Sequence, residues 1–354
     1  MANMSSPEAT IAVVDIAPLL AGAKSGRKTA DADEILVARK LDAAAQGSGF
    51  MYVTGHGAGR ATLEATLEQA RRLFSLSTEA KQSMRAQSGE GVGWEPSGAQ
   101  KLDEGRLGEM LELGRGVDGE AASGDLKESY IVGNPGTKSA LDAQWPVLPG
   151  FKEGVEEYHS KCRDIVAALM RGFAIALGCA ATRFEEDISD PFTKLRLLKY
   201  PRAGARYNSA SPGCGAHTDW GALTLLLQDD VGGLEVCMPR VDAGFEPRWL
   251  PAPQLEGAIL ANVGDMLLRW TNGRYRSAPH RVLTPQKQGA ERHSVAFFLN
   301  CNTDAIIDPA ALLHNDGSSG EEEPEAPKWA PITAMDYIQE RVNATYSDAT
   351  SSEK

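Results

Sequence analysis

His217-Thr218-Asp219, with His280 far downstream, offers two imidazoles and one carboxylate to a single metal ion. Two histidines and one carboxylate on one face of an ion form the facial triad suited to non-haem Fe(II), with positions left open for O2 and an organic ligand. Strand side chains alternate in direction, so His217 and Asp219 at i and i+2 are expected to converge from one strand, with His280 reaching in from a neighbouring one. Arg292-x-Ser294 has the same i, i+2 spacing. A guanidinium is a planar fork that fits a carboxylate, and a hydroxyl beside it adds a donor. His56, His159, His293 and His314 have no comparable setting and read as structural or surface residues.

The flanks of these residues carry more information. His217 to Gln228 reads His-Thr-Asp-Trp-Gly-Ala-Leu-Thr-Leu-Leu-Leu-Gln. Asn262-Val263-Gly264-Asp265 leads through Tyr275-Arg276-Ser277-Ala278-Pro279 to His280-Arg281-Val282, and Arg292-His293-Ser294-Val295-Ala296-Phe297-Phe298 follows. Near the N-terminus stand Ile11 to Leu20 and the run Gly49-Phe50-Met51-Tyr52-Val53-Thr54-Gly55-His56-Gly57. Together these motifs, from about residue 11 to about residue 345, resemble the isopenicillin N synthase-like family of Fe(II)/2-oxoglutarate-dependent dioxygenases.

That resemblance implies a mainly β fold with flanking helices, a double-stranded β-helix (jelly roll). It implies Fe(II) on His217, Asp219 and His280, and 2-oxoglutarate held by Arg292 and Ser294, with Tyr200 as a further donor. It also implies O2 as co-reactant and ascorbate as a candidate reductant. Oxidative decarboxylation of 2-oxoglutarate to succinate and CO2 would drive hydroxylation, desaturation or ring closure at a C–H bond, with no catalytic group beyond the metal site. The alternatives are an iron oxidase that does not use 2-oxoglutarate, which succinate release tells apart, and a Zn-dependent hydrolase, which would work without O2.

The elements that must position these residues follow from periodicity. A helix is expected over 33–46 with Asp33 as cap, a buried strand over Phe50–Thr54, and a second helix over 60–74. Apolar residues from Phe151 to Leu177 recur at three- and four-residue steps, which predicts a long scaffold helix closed by Gly178. Beyond Pro191 short strands are expected: Lys194–Tyr200, Gly221–Gln228, Gly233–Cys237, Gly257–Asn262, Met266–Trp270, Arg281–Leu283 and Ser294–Cys301, with Asn272-Gly273 as a hairpin turn. Thr333 caps a last helix to Tyr346. From Met84 to Pro146 no period is sustained, and this stretch reads as a variable lid. The organisation is therefore an N-terminal region (1–150), the scaffold helix with the jelly-roll core and last helix (151–346), and a tail (347–354).

Composition narrows the partners. The 354 residues are 42% hydrophobic and 24% charged with a formal net charge of −12. That balance disfavours nucleic acid and anionic membrane, and no apolar run reaches the ~20 residues of a membrane span. The five cysteines form no Cys-x-x-Cys pair and fit reduced thiols, hence a cytoplasmic location as the expectation, and a monomer is expected as well. The candidate prime substrate is a small, carboxylate-bearing molecule. Arg202 and Arg206, between Tyr200 and His217, are its candidate anchors, and one of Phe297 and Phe298 is expected on the pocket wall with the other in the core.

Overall fold

The computed structural model describes residues 10–87, 91–100, 102, 125–134, 145–202, 212–238, 248–284, 289–313 and 326–346. In chain order the strands are β1 (Ala12–Asp15), β2 (Phe50–Thr54), β3 (Gly93–Glu95), β4 (Glu128–Val132), β5 (Thr193–Tyr200), β6 (Pro212–His217) and β7 (Leu223–Gln228). They continue as β8 (Leu234–Cys237), β9 (Trp249–Pro251), β10 (Ile259–Val263), β11 (His280–Leu283), β12 (Arg292–Leu299), β13 (Ile306–Ile307) and β14 (Ile332–Thr333). The helices are α1 (Ala17–Ser25), α2 (Ala32–Gln46), α3 (Arg60–Phe74), α4 (Thr78–Gln82), α5 (Phe151–Ala176), α6 (Asp265–Trp270), α7 (Ala310–Leu313) and α8 (Ala334–Tyr346).

Eight strands form a large sheet in the order β1-β2-β10-β7-β12-β5-β4-β3, and four form a smaller one in the order β6-β11-β8-β9. Among the described strands of the large sheet only β1 and β2 pair in parallel. The two sheets are the walls of the jelly roll. One apolar cluster, including Phe50, Leu198, Val236, Leu260 and Val282, lies between them. A larger cluster fills the space between the other face of the large sheet and the helices, with α5 contributing Phe151, Val155, Tyr158, Ile165, Leu169 and Phe173.

This division follows from strand alternation. On β5 and β12 the residues Leu195, Leu197, Val295, Phe297 and Leu299 join the helix-side core. Leu198, Tyr200 and Ala296 face the other sheet. The helices are tied down by polar contacts as well as burial. Asp31 caps α2 by accepting from the Glu34 amide, and Glu34 reaches back to the Asp31 amide. Glu34 is fully buried and pairs at 2.7 Å with Arg171 of α5.

Four expectations need correction. The cap of α2 is Asp31, two residues before Asp33. Met266–Trp270 is helical: Met266, Leu267 and Trp270 are all buried, on the i, i+1, i+4 spacing of a helix face, and a short apolar run does not distinguish helix from strand. Asn272-Gly273 makes no hairpin; both residues are left-handed (φ 50° and 84°) and stop α6, with the Gly273 amide bonded to Leu268 O. The stretch from Met84 to Pro146 supplies β3 and β4 to the large sheet, while 88–90, 101, 103–124 and 135–144 lie outside the described residues. The tail 347–354 and His314 lie outside them too. Gly178 does close α5 in a left-handed turn (φ 73°), and Thr333 Oγ1 accepts the Asp336 amide at the start of α8. No helix among the described residues is long and apolar enough to cross a membrane.

Candidate active site

His217 ends β6 and His280 begins β11, and the two are direct cross-strand partners, which brings their rings to 4.3 Å between centroids. Asp219 lies beyond the end of β6, so strand alternation is not what converges it on His217. A tight turn does so. The Asp265 amide donates to Asp219 O at 2.8 Å and the Gly264 amide to Ala222 O at 3.0 Å. At Gly264 a Cβ would stand 2.2 Å from Gly221 O and 3.0 Å from Asp219 O, so only glycine lets the backbone pass beneath the turn. Asp265 also accepts from Tyr337 of α8 (2.8 Å) and from Thr218 (3.3 Å), fastening the last helix to the same turn.

The three donor groups lie within 4.8 Å of one another and form the one group of this kind among the described residues. Asp219 Oδ1 is 3.9 Å from Nε2 of each histidine. His217 Nδ1 meets Gly215 O at 2.8 Å and His280 Nδ1 meets Ala278 O at 3.2 Å. A carbonyl can only accept, so both Nδ1 atoms carry the proton and both Nε2 lone pairs point to the shared centre. Asn262 of β10 donates to Asp219 Oδ2 at 2.7 Å, which leaves Oδ1 for the centre. Burial would raise the Asp219 carboxyl, but the two histidines and the Asn262 bond outweigh it and hold the group below the usual carboxylate range. Burial, then the His217 ring, pushes His280 down to about 4, so it is neutral at pH 7. Two imidazoles and one carboxylate, each oriented by a second group, fit an Fe(II) ion with open positions.

Two lobes of one cavity meet at the triad and share Leu102, Arg196, His217, Asp219 and Phe298. The first lobe contains Tyr200, Arg292 and Ser294. Arg292 and Ser294 are both fully buried. Arg292 Nη1 donates to Ser294 Oγ (3.2 Å), Nη2 donates to Gln228 Oε1 (2.9 Å), and the guanidinium stacks 4.8 Å over the Tyr200 ring. Its Nε has no partner, and among the described residues no carboxylate pairs with it. A buried cation without a counter-ion is costly, so this lobe fits an anionic ligand such as the distal carboxylate of 2-oxoglutarate. Burial, then nearby Cys214, pushes the Tyr200 phenol up to about 12, which keeps it a donor.

The second lobe is lined by Gln100, Lys194, Trp220, Asn300 and Ile338. Alternation settles the phenylalanine pair: Phe298 lines both lobes, whereas Phe297 is fully buried on the helix side, 5.1 Å from the His159 ring. Phe297 is therefore no cavity residue. Arg202 does not line the cavity either; its side chain is 66% exposed and lies 3.8 Å from Glu291. Arg206 lies outside the described residues. The cavity's other cations are Lys194, Arg196 and Lys127, none of which sequence reasoning singled out. Arg196 pairs with Glu95 and donates to Ser129 Oγ at 3.0 Å; Lys127 pairs with Asp125. Gln228 and Asn262 were missed as well. Their signal is phase: Lys194, Arg196, Leu198 and Tyr200 share one face of β5, as Thr224, Leu226 and Gln228 share one face of β7.

The other described histidines have structural partners. His56 Nδ1 accepts the Ala58 amide and His159 bonds to Thr193 Oγ1 at 2.9 Å. His293 lies beside Asp229 and the Phe74 ring. Arg281 pairs with Glu235 at 2.8 Å and stacks 4.0 Å over Trp249.

Comparison with known proteins places this geometry. Residues 193–300 match the 2OG-Fe(II) oxygenase superfamily, and residues 11–147 match the N-terminal region of non-haem dioxygenases described from morphine synthesis. A homoarginine-6-hydroxylase of Glycine max is 35% identical over 327 residues, 90% of this chain and 94% of that protein. The 2-oxoglutarate-Fe(II) type oxidoreductase hxnY of Emericella nidulans is 31% identical, over 87% of this chain and 84% of its own length. Among solved structures, a full-length Neurospora crassa protein in complex with alpha-KG and thymine superposes with a TM-score of 0.77 at 25% identity, over 96% of this chain and 98% of that one. The triad geometry, the jelly roll and these matches together show that the chain belongs to the isopenicillin N synthase-like 2-oxoglutarate/Fe(II) oxygenases and is a dioxygenase dependent on both cofactors.

Proposed function

We propose that the prime substrate is a small, polar, carboxylate-bearing metabolite, bound in the lobe of Lys194, Arg196, Gln100 and Asn300 and oxygenated at a C–H bond held against the open side of the triad. The observation that carries this reading is the placement of Lys194 and Arg196 at i and i+2 on the cavity face of β5. From there to Tyr200, at the 2-oxoglutarate end of the same strand, is about 13 Å at ~3.3 Å per residue. The triad would thus stand between Arg292, the cation for the cosubstrate, and Lys194, the cation for the substrate, with Arg196, its charge matched by Glu95, as a fixed hydrogen-bond donor beside Lys194. Glu95 and Ser129 fix the Arg196 guanidinium before any ligand arrives, which lowers the ordering cost of binding. The soybean relative is named for homoarginine, an amino acid and so a carboxylate. Thymine, bound by the Neurospora protein, carries none and defines the competing kind of ligand.

Fe(II) with 2-oxoglutarate supplies, when bound, O2-driven oxidative decarboxylation to succinate and CO2 and with it the oxidising power for a C–H bond. The rest is this chain's work. His217 and His280 would hold the metal through Nε2, and Asp219 through Oδ1, while Asn262 keeps the carboxylate from turning. Arg292, Ser294 and Tyr200 would take the distal carboxylate of 2-oxoglutarate. Phe50, Leu198, Leu226 and Val282 keep that lobe apolar and restrict water.

Succinate release, measured over a panel that pairs each carboxylic acid with its neutral amide, tests the proposal. The acid of the active pair is expected to turn over and the amide to fail. Lys194→Ala and Arg196→Gln should raise its KM on the order of tenfold or more, the scale of a lost hydrogen bond to a charged group, with 2-oxoglutarate dependence unchanged. Arg202→Ala should alter neither. A true substrate without an anionic group, or an unchanged KM in both cavity variants, would refute the proposal.

A further inference from the structure

Gln228 closes β7 directly opposite Ser294 of β12 and is 4% exposed. Both ends of its amide are engaged. Nε2 donates to Ala252 O at 2.9 Å; a carbonyl cannot donate, so Oε1 is the atom that faces Arg292 and accepts Nη2 at 2.9 Å. Every other described contact of that guanidinium is neutral too: the Ser294 hydroxyl and the face of Tyr200. A glutamate at 228 would have the same length, but it would give up the donor to Ala252 O and would cancel the charge of a fully buried arginine. The chain carries the neutral isostere instead.

We propose that Gln228 is a positioning residue for 2-oxoglutarate: it aims the Arg292 fork through a neutral acceptor and leaves its charge for the distal carboxylate of the cosubstrate. This rests on the reading of Arg292 as the cosubstrate anchor. Two consequences separate it from a merely structural glutamine. A carboxylate at 228 would compete with the ligand for Arg292, and the preference for a dicarboxylic over a monocarboxylic 2-oxo acid would collapse. An apolar residue of similar bulk would free the fork to rotate and weaken the same preference without adding charge.

The test is anaerobic calorimetric titration of the Fe(II)-loaded protein with 2-oxoglutarate and with pyruvate, which lacks the distal carboxylate. Gln228→Glu should raise the Kd for 2-oxoglutarate about a hundredfold, and Gln228→Met about tenfold, the scale of altering one contact to a charged group. Pyruvate affinity should change little in either variant, so the ratio of the two constants is the readout. Iron content and Tm are measured alongside, and the Met variant serves if the Glu variant does not fold. An unchanged ratio in both variants, with Arg292→Ala losing 2-oxoglutarate affinity, overturns the role of Gln228. An equal loss of both ligands overturns it as well. If Arg292→Ala leaves 2-oxoglutarate affinity unchanged, the assignment of Arg292 itself fails.

Discussion

Phe297 and Phe298 are adjacent in sequence and opposite in role, and truncating each in turn tests the strand phase on which the cavity rests. Phe297 is fully buried on the helix side of β12, edge-on to His159 and facing Leu225 and Leu195 across its neighbouring strands. Removing its ring leaves a cavity in a packed core, which costs about 3–5 kcal/mol for Phe→Ala. At ~2.1 cal/mol/K per residue, a chain of 354 residues has an unfolding entropy near 0.74 kcal/mol/K, so Tm should fall by about 4–7 °C. KM for the prime substrate should stay near the wild-type value in the folded fraction. Phe298 is half-buried and lines both lobes at the triad. Phe298→Ala should cost about 1 kcal/mol of stability but remove apolar contact area from the substrate, raising KM on the order of tenfold. Thermal melts and succinate-coupled kinetics on both variants decide the matter. If Phe297→Ala shifted KM while Phe298→Ala shifted Tm, the assigned face of β12 would be wrong, and with it the placement of Arg292 and Ser294.

Asp219→Ala should abolish turnover and iron binding with the fold retained, while Asn262→Leu should weaken Fe(II) affinity about 10–100-fold, as loss of a ligand-orienting partner does; full iron occupancy in Asp219→Ala would sink the metal assignment. Arg292→Ala should weaken 2-oxoglutarate by about 2–5 kcal/mol, on the order of 30- to several-thousand-fold, with little change in prime-substrate KM at saturating cosubstrate. Its Tm should fall less than a core truncation would cause, because the deletion also removes a buried charge with no counter-ion among the described residues. A pH prediction falls on His159, which burial, helped by the nearby charge of Arg163, pushes down to about 4; around it stand the Phe297 ring and Thr193, which is itself bonded to Asn134. Between pH 6.5 and 4 the unfolded chain binds a proton that the folded one refuses, so stability falls as pH falls, by about 3 kcal/mol across the window. His159→Gln should lose that much less than wild type in denaturant melts at the two pH values, and equal losses would refute the attribution.

The triad was legible because its chemistry needs fixed residue types in a fixed order, and the long helix because twenty-six residues repeat one face. Two kinds of feature were not. The first is local: Met266–Trp270 is too short for its apolar pattern to choose between periods, and what makes it helical is a tertiary fact, the seating of Asp265 under the Asp219 turn and against Tyr337. The same holds for Asn272-Gly273, whose left-handed conformations serve a helix end as readily as a hairpin. The second is relational. Arg202 and Arg206 drew attention by their place in the chain near the metal motif. Among the described residues the arginine of the second lobe is Arg196, hidden in an ordinary-looking strand, and nothing in Thr193–Tyr200 alone says which face of that strand is inside.

That missing information is one binary choice per strand, and the strands are not independent in making it. Arg292 and Ser294 must face inward if they are to meet a ligand at the triad, which sends Ala296 and Phe298 inward and Val295, Phe297 and Leu299 into the helix-side core. The pairing of β12 with β5 sets Arg292 opposite Tyr200, Ser294 opposite Leu198, Ala296 opposite Arg196 and Phe298 opposite Lys194. The pairing with β7 sets Ser294 opposite Gln228 and Phe298 opposite Thr224. Directly opposed residues share a face, so the phase of one two-residue motif propagates across three strands and selects Tyr200, Arg196, Lys194 and Gln228 together. A slip of β12 by one residue would turn His293, Val295 and Phe297 into the cavity and drive Arg292 toward the apolar core around α5. The burial of that core and the chemistry of the site therefore impose the same register. This is why Arg292, the proposed cosubstrate anchor, can persist in the middle of the sheet with no counter-ion among the described residues.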